Sequence, residues 1–318
     1  MKEVVIMMVS VKKFNRKRIL ITIATVILAF FVVSMTATKL VYDMVFARYD
    51  TPADIPAELS EMVQQRQVCR FPSGENLLAG YYYDTNAAEA YGLVVLAPGF
   101  HAGGDDYLPL IRSLTEYGWS VFTFDSTGTL QSEGKNQIGF AQAVPDLASA
   151  LNYVEKNEKF GYNELVLMGH SRGAYAACCV LTQTQDVAAV VSVSGVNSAM
   201  EAIMELSVKS VGPISYGNYG FLWLYQTMLF GADTVNLQAS QAIAREDTPV
   251  LVVHGTQDET FPAESGAIAA YQGEIASPNV EYLLCDGGHT DILYDEDGTA
   301  NDALMAQIHD FLIRSIEK

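Results

Sequence analysis

The chain reads as an α/β protein built on a mostly parallel sheet, with one membrane-spanning helix ahead of it. Three observations carry that expectation. Residues 19–38, ILITIATVILAFFVVSMTAT, are twenty in a row without a charge. Short continuous apolar runs recur along the body with helical periodicity between them. One of those runs, LVLM, passes straight into Gly169-His170-Ser171-Arg172-Gly173 and then into the helical AYAACCVL.

The amino-terminal segment comes first. Lys12, Lys13, Arg16, Lys17 and Arg18 form a basic cluster before the uncharged run. Twenty helical residues at about 1.5 Å each cover a hydrocarbon core of roughly 30 Å. The cations keep residues 1–18 in the cytoplasm as a basic head and send the body outward. The run is long for a signal peptide, and Met35-Thr36-Ala37 is a poor cleavage site. Residues 19–38 are therefore expected to be an uncleaved signal anchor, with secretion after cleavage as the rival. Residues 39–64 are expected to be a linker with a short helix, and Pro52 and Pro56 mark the join.

The body follows in order. Residues 66–71 and 76–83 flank Pro72-Ser73-Gly74 and predict an antiparallel hairpin. Apolar runs at 92–96, 121–124, 165–168, 188–193, 250–253 and 280–284 predict strands covered on both faces. Val144, Leu147, Leu151 and Val154 recur at helical spacing, as do Leu304, Ile308, Phe311 and Leu312. A hairpin followed by β–α alternation predicts helices on both faces, with ligands at the carboxyl ends of the strands.

Charge narrows the partners. The chain carries 19 Lys and Arg against 37 Asp and Glu, a net charge of −18. A basic nucleic-acid-binding surface is excluded on that balance.

The chemistry gathers at strand ends. A serine between two glycines on a strand–turn–helix is a nucleophile elbow: the turn is too tight for flanking side chains, and its strain lifts Ser171 above the sheet. A serine needs a base, and the base an orienter. Among five histidines, His289 lies on the glycine-rich loop after the last strand, where it can reach the sheet edge. Asp258, on the loop after the preceding strand, is the expected orienter, with Glu259 its nearest competitor. An oxyanion needs two amides: Arg172 N–H, and Phe100 N–H in the loop Pro98-Gly99-Phe100-His101-Ala102-Gly103-Gly104. His101 is either a substrate contact or a loop residue.

These residues together resemble the α/β-hydrolase fold, in the order Ser171, Asp258, His289. The resemblance covers residues 66–317. Phe124-Asp125-Ser126-Thr127-Gly128 with Ser132-Glu133-Gly134 also resembles that fold's stretch after the fourth strand, with Leu130 replacing a glycine. The nearest subgroup is the serine aminopeptidases, acylglycerol lipases and esterases. The resemblance implies one hydrolase domain over residues 65–318, an eight-stranded sheet in the order 1-2-4-3-5-6-7-8, and a small helical cap inserted at 195–248. That order puts Cys69 and Cys285 on opposite edges, roughly 30 Å apart, beyond the reach of about 7 Å that a disulfide spans. Four free thiols are expected.

The cap is rich in aromatics, and Trp223 and Tyr225 are candidate substrate contacts. The expected activity is a membrane-anchored serine hydrolase acting on small-molecule or lipid-like acyl esters. A peptidase on short peptides is the alternative, with Glu201 and Glu205 to hold a free amino terminus, and a catalytically silent binding protein is a third reading. No cofactor and no metal is expected. Asp291, Asp295, Glu296 and Asp297 read as a solvated acidic turn.

Overall fold

The computed structural model describes residues 16–317 apart from 86, 88, 184 and 185. Lys12, Lys13 and most of the expected basic head lie outside the described residues. The first helix, α1 (Arg16–Val45), has thirty residues, contains neither proline nor glycine, and is long and apolar enough to cross a membrane. The hydroxyls of Thr25, Thr36 and Thr38 donate to the carbonyls four residues back, so the helix satisfies its own polar groups.

The helix outlasts its uncharged run by two turns, and its end is core. Tyr42 and Phe46 are buried in the same apolar cluster as the sheet and its helices. Ala47 and Tyr49 form bridges with Asn136 and Thr129, and the Arg48 guanidinium donates to the carbonyls of Leu130, Ser132 and Gly134. The first part of the expected linker at 39–64 is thus structured and packed. The reason lies in the side chains: large aromatics at 42, 46 and 49 bury more area than a tether needs.

A short α2 (Ser60–Gln65) leads into β1 (Gln67–Ser73) and β2 (Asn76–Tyr83). Then follow β3 (Leu93–Ala97), α3 (Leu108–Glu116), β4 (Ser120–Phe124), α4 (Ala143–Glu155), β5 (Leu165–His170), α5 (Arg172–Cys179) and β6 (Ala189–Val193). The cap contributes α6 (Ala199–Val211), α7 (Tyr219–Phe230), α8 (Ala232–Val235) and α9 (Ala239–Ile243). The chain closes with β7 (Val250–Gly255), β8 (Val280–Cys285) and α10 (Asp302–Ile316).

The strand order is β1-β2-β4-β3-β5-β6-β7-β8, as expected. β1 and β2 pair antiparallel, β2 joins β4 antiparallel, and the remaining pairings are parallel. Every residue of β3 to β7 is buried, which is why these strands read as continuous apolar runs. α3 and α10 cover one face. α4, α5, the cap and the end of α1 cover the other. Cys69 on β1 and Cys285 at the end of β8 sit on opposite edges, and all four cysteines are free thiols. In the acidic turn, the Asp297 carboxylate accepts from the Thr299 amide and hydroxyl.

Phe46 provides the test of this packing. Phe46→Ala in the detergent-solubilised full chain is expected to cost about 3 kcal/mol or more, seen as a lower denaturation midpoint, whereas Val26→Ala, on the exposed face of α1, leaves the midpoint unchanged.

Candidate active site

The elbow forms where β5 ends. Ser171 has φ +55° and ψ −117°, a left-handed-region backbone that non-glycine residues rarely adopt. The chain can turn there because its flanks carry no Cβ. A Cβ on Gly169 would run into the Gly173 carbonyl, and one on Gly173 into the carbonyl oxygens of Ala97 and Pro98. The Ser171 amide donates to the Val193 carbonyl at 2.8 Å, tying the turn to β6.

Three side chains from three loops meet above the sheet edge. His289 Nε2 lies 2.9 Å from Ser171 Oγ, and His289 Nδ1 lies 2.7 Å from Asp258 Oδ2. Asp258 is acceptor-only when ionised, so Nδ1 carries the proton and Nε2 is left to accept from the serine hydroxyl. The other oxygen of Asp258 accepts from the amides of Thr260 and Phe261 at 2.8 and 2.9 Å. Burial opposes the Asp258 charge, but hydrogen bonds from His254, His289 and Phe261 together hold its carboxyl well below the usual carboxylate range.

His254, at the end of β7, braces the Asp258 loop, a role that no spacing in the sequence announces. Its fully buried ring donates from Nε2 to the Phe261 carbonyl at 2.9 Å, with Asp258 Oδ2 at 3.2 Å.

A second histidine links the remaining parts. His170 precedes Ser171, and its ring is buried. The Gly99 amide donates to Tyr107 Oη at 2.9 Å, and that hydroxyl donates to His170 Nδ1 at 2.9 Å. His170 Nε2 then donates to the carbonyl of His289 at 3.1 Å, which also accepts from Ser194 Oγ at 2.8 Å. One chain of hydrogen bonds therefore runs from the glycine-rich loop after β3 to the backbone of His289. No spacing in the sequence announces Tyr107 or Ser194. Burial, helped by the nearby His289, pushes the His170 pKa down to about 4, so the ring is neutral at ordinary pH.

The loop after β3 is braced from below. Asp125 accepts from Tyr81 Oη, the Gly104 amide and the Gln131 amide. Ser132 is buried and donates to the Asp125 carbonyl, a scaffold role. Tyr294 donates to the Asp106 carbonyl from the far side. Phe100 thus sits close beside the elbow, and the Arg172 amide, first in α5, has no partner within the helix. The Arg172 guanidinium is fully buried and 5.8 Å from the Phe100 ring. Among the described residues its Nε and Nη1 have no acceptor.

The other expected contacts resolve differently. His101, at φ +55°, stacks between the rings of Phe100 and Tyr49, at 3.9 and 5.0 Å. The partner from the anchor segment makes it part of the loop's wall. Trp223 and Tyr225 both make contacts within the protein. The indole N–H of Trp223 donates within the cap to Asn236. Tyr225 packs edge-on against Tyr42 at 5.1 Å, with its hydroxyl toward Asp43. Tyr225 thus packs the cap on the end of α1, and Trp223 braces the cap itself. Glu201 already accepts from Tyr271 and Asn197, and Glu205 pairs with Lys209 at 3.4 Å.

Comparison with known proteins agrees with this fold. A family model described as Serine aminopeptidase, S33 matches residues 88–219, which include the loop after β3 and the elbow but neither Asp258 nor His289. An uncharacterized 31.7 kDa protein of Escherichia coli, from the traX-finO intergenic region, is 25% identical over 240 residues, covering 63% of this chain and 84% of that protein. An esterase of Pyrococcus furiosus superposes with TM-score 0.64 at 17% identity, over 85% of this chain and 98% of its own. Est1E from Butyrivibrio proteoclasticus, solved with ferulic acid bound, gives TM-score 0.61 at 18% identity, over 79% and 100%. The fold is the α/β-hydrolase fold.

His170 makes stability depend on pH. In the unfolded chain it takes up a proton near pH 6.5, but in the folded chain only near 4. Between those values the unfolded state binds more protons, so stability falls as pH drops from 6.5 toward 4, by up to about 3 kcal/mol. His170→Gln keeps a donor toward the His289 carbonyl but cannot titrate. Urea midpoints at pH 7 and 5 are expected to differ clearly less in that variant than in the parent chain.

Proposed function

We propose that the chain is a membrane-anchored serine hydrolase that cleaves carboxylic esters through an acyl-enzyme. The observation that carries this reading is the Ser171–His289–Asp258 relay, 2.9 and 2.7 Å between heavy atoms, on a strained elbow. Ser171 Oγ attacks the ester carbonyl while His289 Nε2 takes its proton. The amides of Phe100 and Arg172 receive the developing oxyanion, and the amino end of α5 adds its dipole. His289 then gives its proton to the leaving alkoxide, and the acyl group stays on Ser171. Water, deprotonated by the same histidine, releases the acid. Asp258 holds the ring in the required tautomer and stabilises its cation.

Ester chemistry is favoured over aminopeptidase chemistry because Glu201 and Glu205 are already engaged within the protein. An apolar acyl group suits the site's surroundings. A cavity of about 420 Å³ lies between the end of α1 and the cap, with Val41, Val45, Phe46, Met204 and Leu222 in its walls. Phe46 also packs on Phe100 at 5.3 Å, next to the proposed oxyanion amide.

The basic residues ahead of α1 place its amino end in the cytoplasm and the hydrolase domain outside. A retained anchor is favoured over a cleaved leader, because cleavage near Ala37 would strip Phe221 of its partners Phe30 and Phe31.

Fluorophosphonate labelling of the full chain in membranes tests the reading. The parent chain is expected to label, Ser171→Ala to show no labelling, and His289→Ala to react slower by about three orders of magnitude or more. A folded parent chain that does not label would sink the proposal.

A further inference from the structure

The cap carries an apolar surface that the proposed hydrolysis does not use. From Ser210 to Ala232 the sequence holds no charged residue. This stretch forms a 3₁₀ segment (Pro213–Asn218) and α7. α7, YGFLWLYQTMLF, is apolar nearly all the way round, which a surface helix in water is not. Val211, Ile214, Tyr216, Tyr219, Met228 and Leu229 are exposed, and Val211 and Ile214 line one cavity with Thr38 and Val41 of α1. A soluble surface of this kind marks an interaction site.

The contacts with α1 fix how deep that surface lies. Phe221 packs against both Phe30 and Phe31, with ring centroids 5.9 and 5.8 Å apart. Those phenylalanines stand seven to eight residues inside the uncharged run, roughly 10–12 Å before its end at Thr38. The Thr38 hydroxyl lies 3.0 Å from the Asn218 side-chain amide. Tyr225, one turn beyond Phe221, already reaches Asp43. The charged groups nearest this surface, the Lys39–Asp43 pair, Lys209 and Asp233, stand at its rim. Lys209 itself turns inward, donating to the carbonyls of Glu259 and Thr260.

From this continuity we infer that the cap's 3₁₀ segment and the start of α7 are immersed in the outer leaflet beside α1, with lipid acyl chains as the partner. The inference rests on the reading of α1 as a retained anchor. It adds that the cap, and with it the approach to Ser171, is held at the depth of the acyl chains. The substrate class this selects is an ester already dissolved in the bilayer.

The test uses the full chain with Cys69→Ser and Cys285→Ser, reconstituted in phosphatidylcholine–phosphatidylglycerol nanodiscs. Ile214→Cys, at a side chain 82% exposed and therefore free of core packing, carries an environment-sensitive fluorophore. Asp310→Cys on α10, across the sheet from the cap, carries the same dye as reference. Lipids brominated on their acyl chains serve as quencher, and carbonate extraction of expressing membranes is run in parallel. The expected result is carbonate-resistant protein whose Ile214→Cys probe is quenched severalfold more than the Asp310→Cys probe. Carbonate-resistant protein with equal quenching at both sites overturns immersion of the cap and leaves the anchor standing. Protein released by carbonate overturns the anchor and the immersed cap together.

Discussion

The site depends first on a backbone that will not relax. Ser171 sits at φ +55° because β5 runs into α5 with no room for a wider turn. Such a conformation persists only when its surroundings over-determine it. They do so here through the Ser171 amide on Val193 and through Gly173 lying against the Ala97–Pro98 backbone. That close approach brings the loop after β3, with Phe100, beside the first amide of α5. A wider turn would lower the hydroxyl and separate the two amides at once. The raised Ser171 hydroxyl and the neighbouring Phe100 and Arg172 amides are consequences of one constraint.

Asp258 and His289 are placed by a different means. Their loops are long and lack regular ladders, so side chains supply the order. Asp258 receives two amides, and His254 fixes the loop that bears it. The carbonyl of His289 is held by His170 and Ser194. His170 joins this loop, through Tyr107, to Gly99 beside Phe100. A neutral ring suits that bridge, because it must donate on one side and accept on the other. Protonation would turn the accepting nitrogen toward a hydroxyl that already points at it.

Much of this was legible in the sequence, and the boundary has a physical cause. Strands buried on both faces announce themselves as apolar runs, and their order followed from the resemblance. Ser171, His289 and Asp258 were legible because strand-end position and glycine content are local properties. His254 and His170 were not, since each works through partners from distant segments. The contacts of Trp223 and Tyr225 were not legible either, because an aromatic that lines a pocket and one that packs two helices look alike in composition. The packing at the start of the expected linker was hidden for a similar reason: nothing local says that Tyr42 and Phe46 find a core to enter.

That last difference changes what the amino-terminal helix is for. A tether joined by a flexible linker holds a domain near a membrane but leaves its orientation free. Here α1 runs unbroken to Val45, and the next residue is buried against Phe100 and Phe140. Arg48 then locks the chain to three carbonyls of the loop after β4. A rigid helix entering the core without a hinge transmits its orientation to the domain. The long apolar helix and the wall of the loop beside Ser171 are thus one continuous piece of chain. Any tilt of that helix must be shared by the Phe46–Phe100 contact or relieved by breaking it.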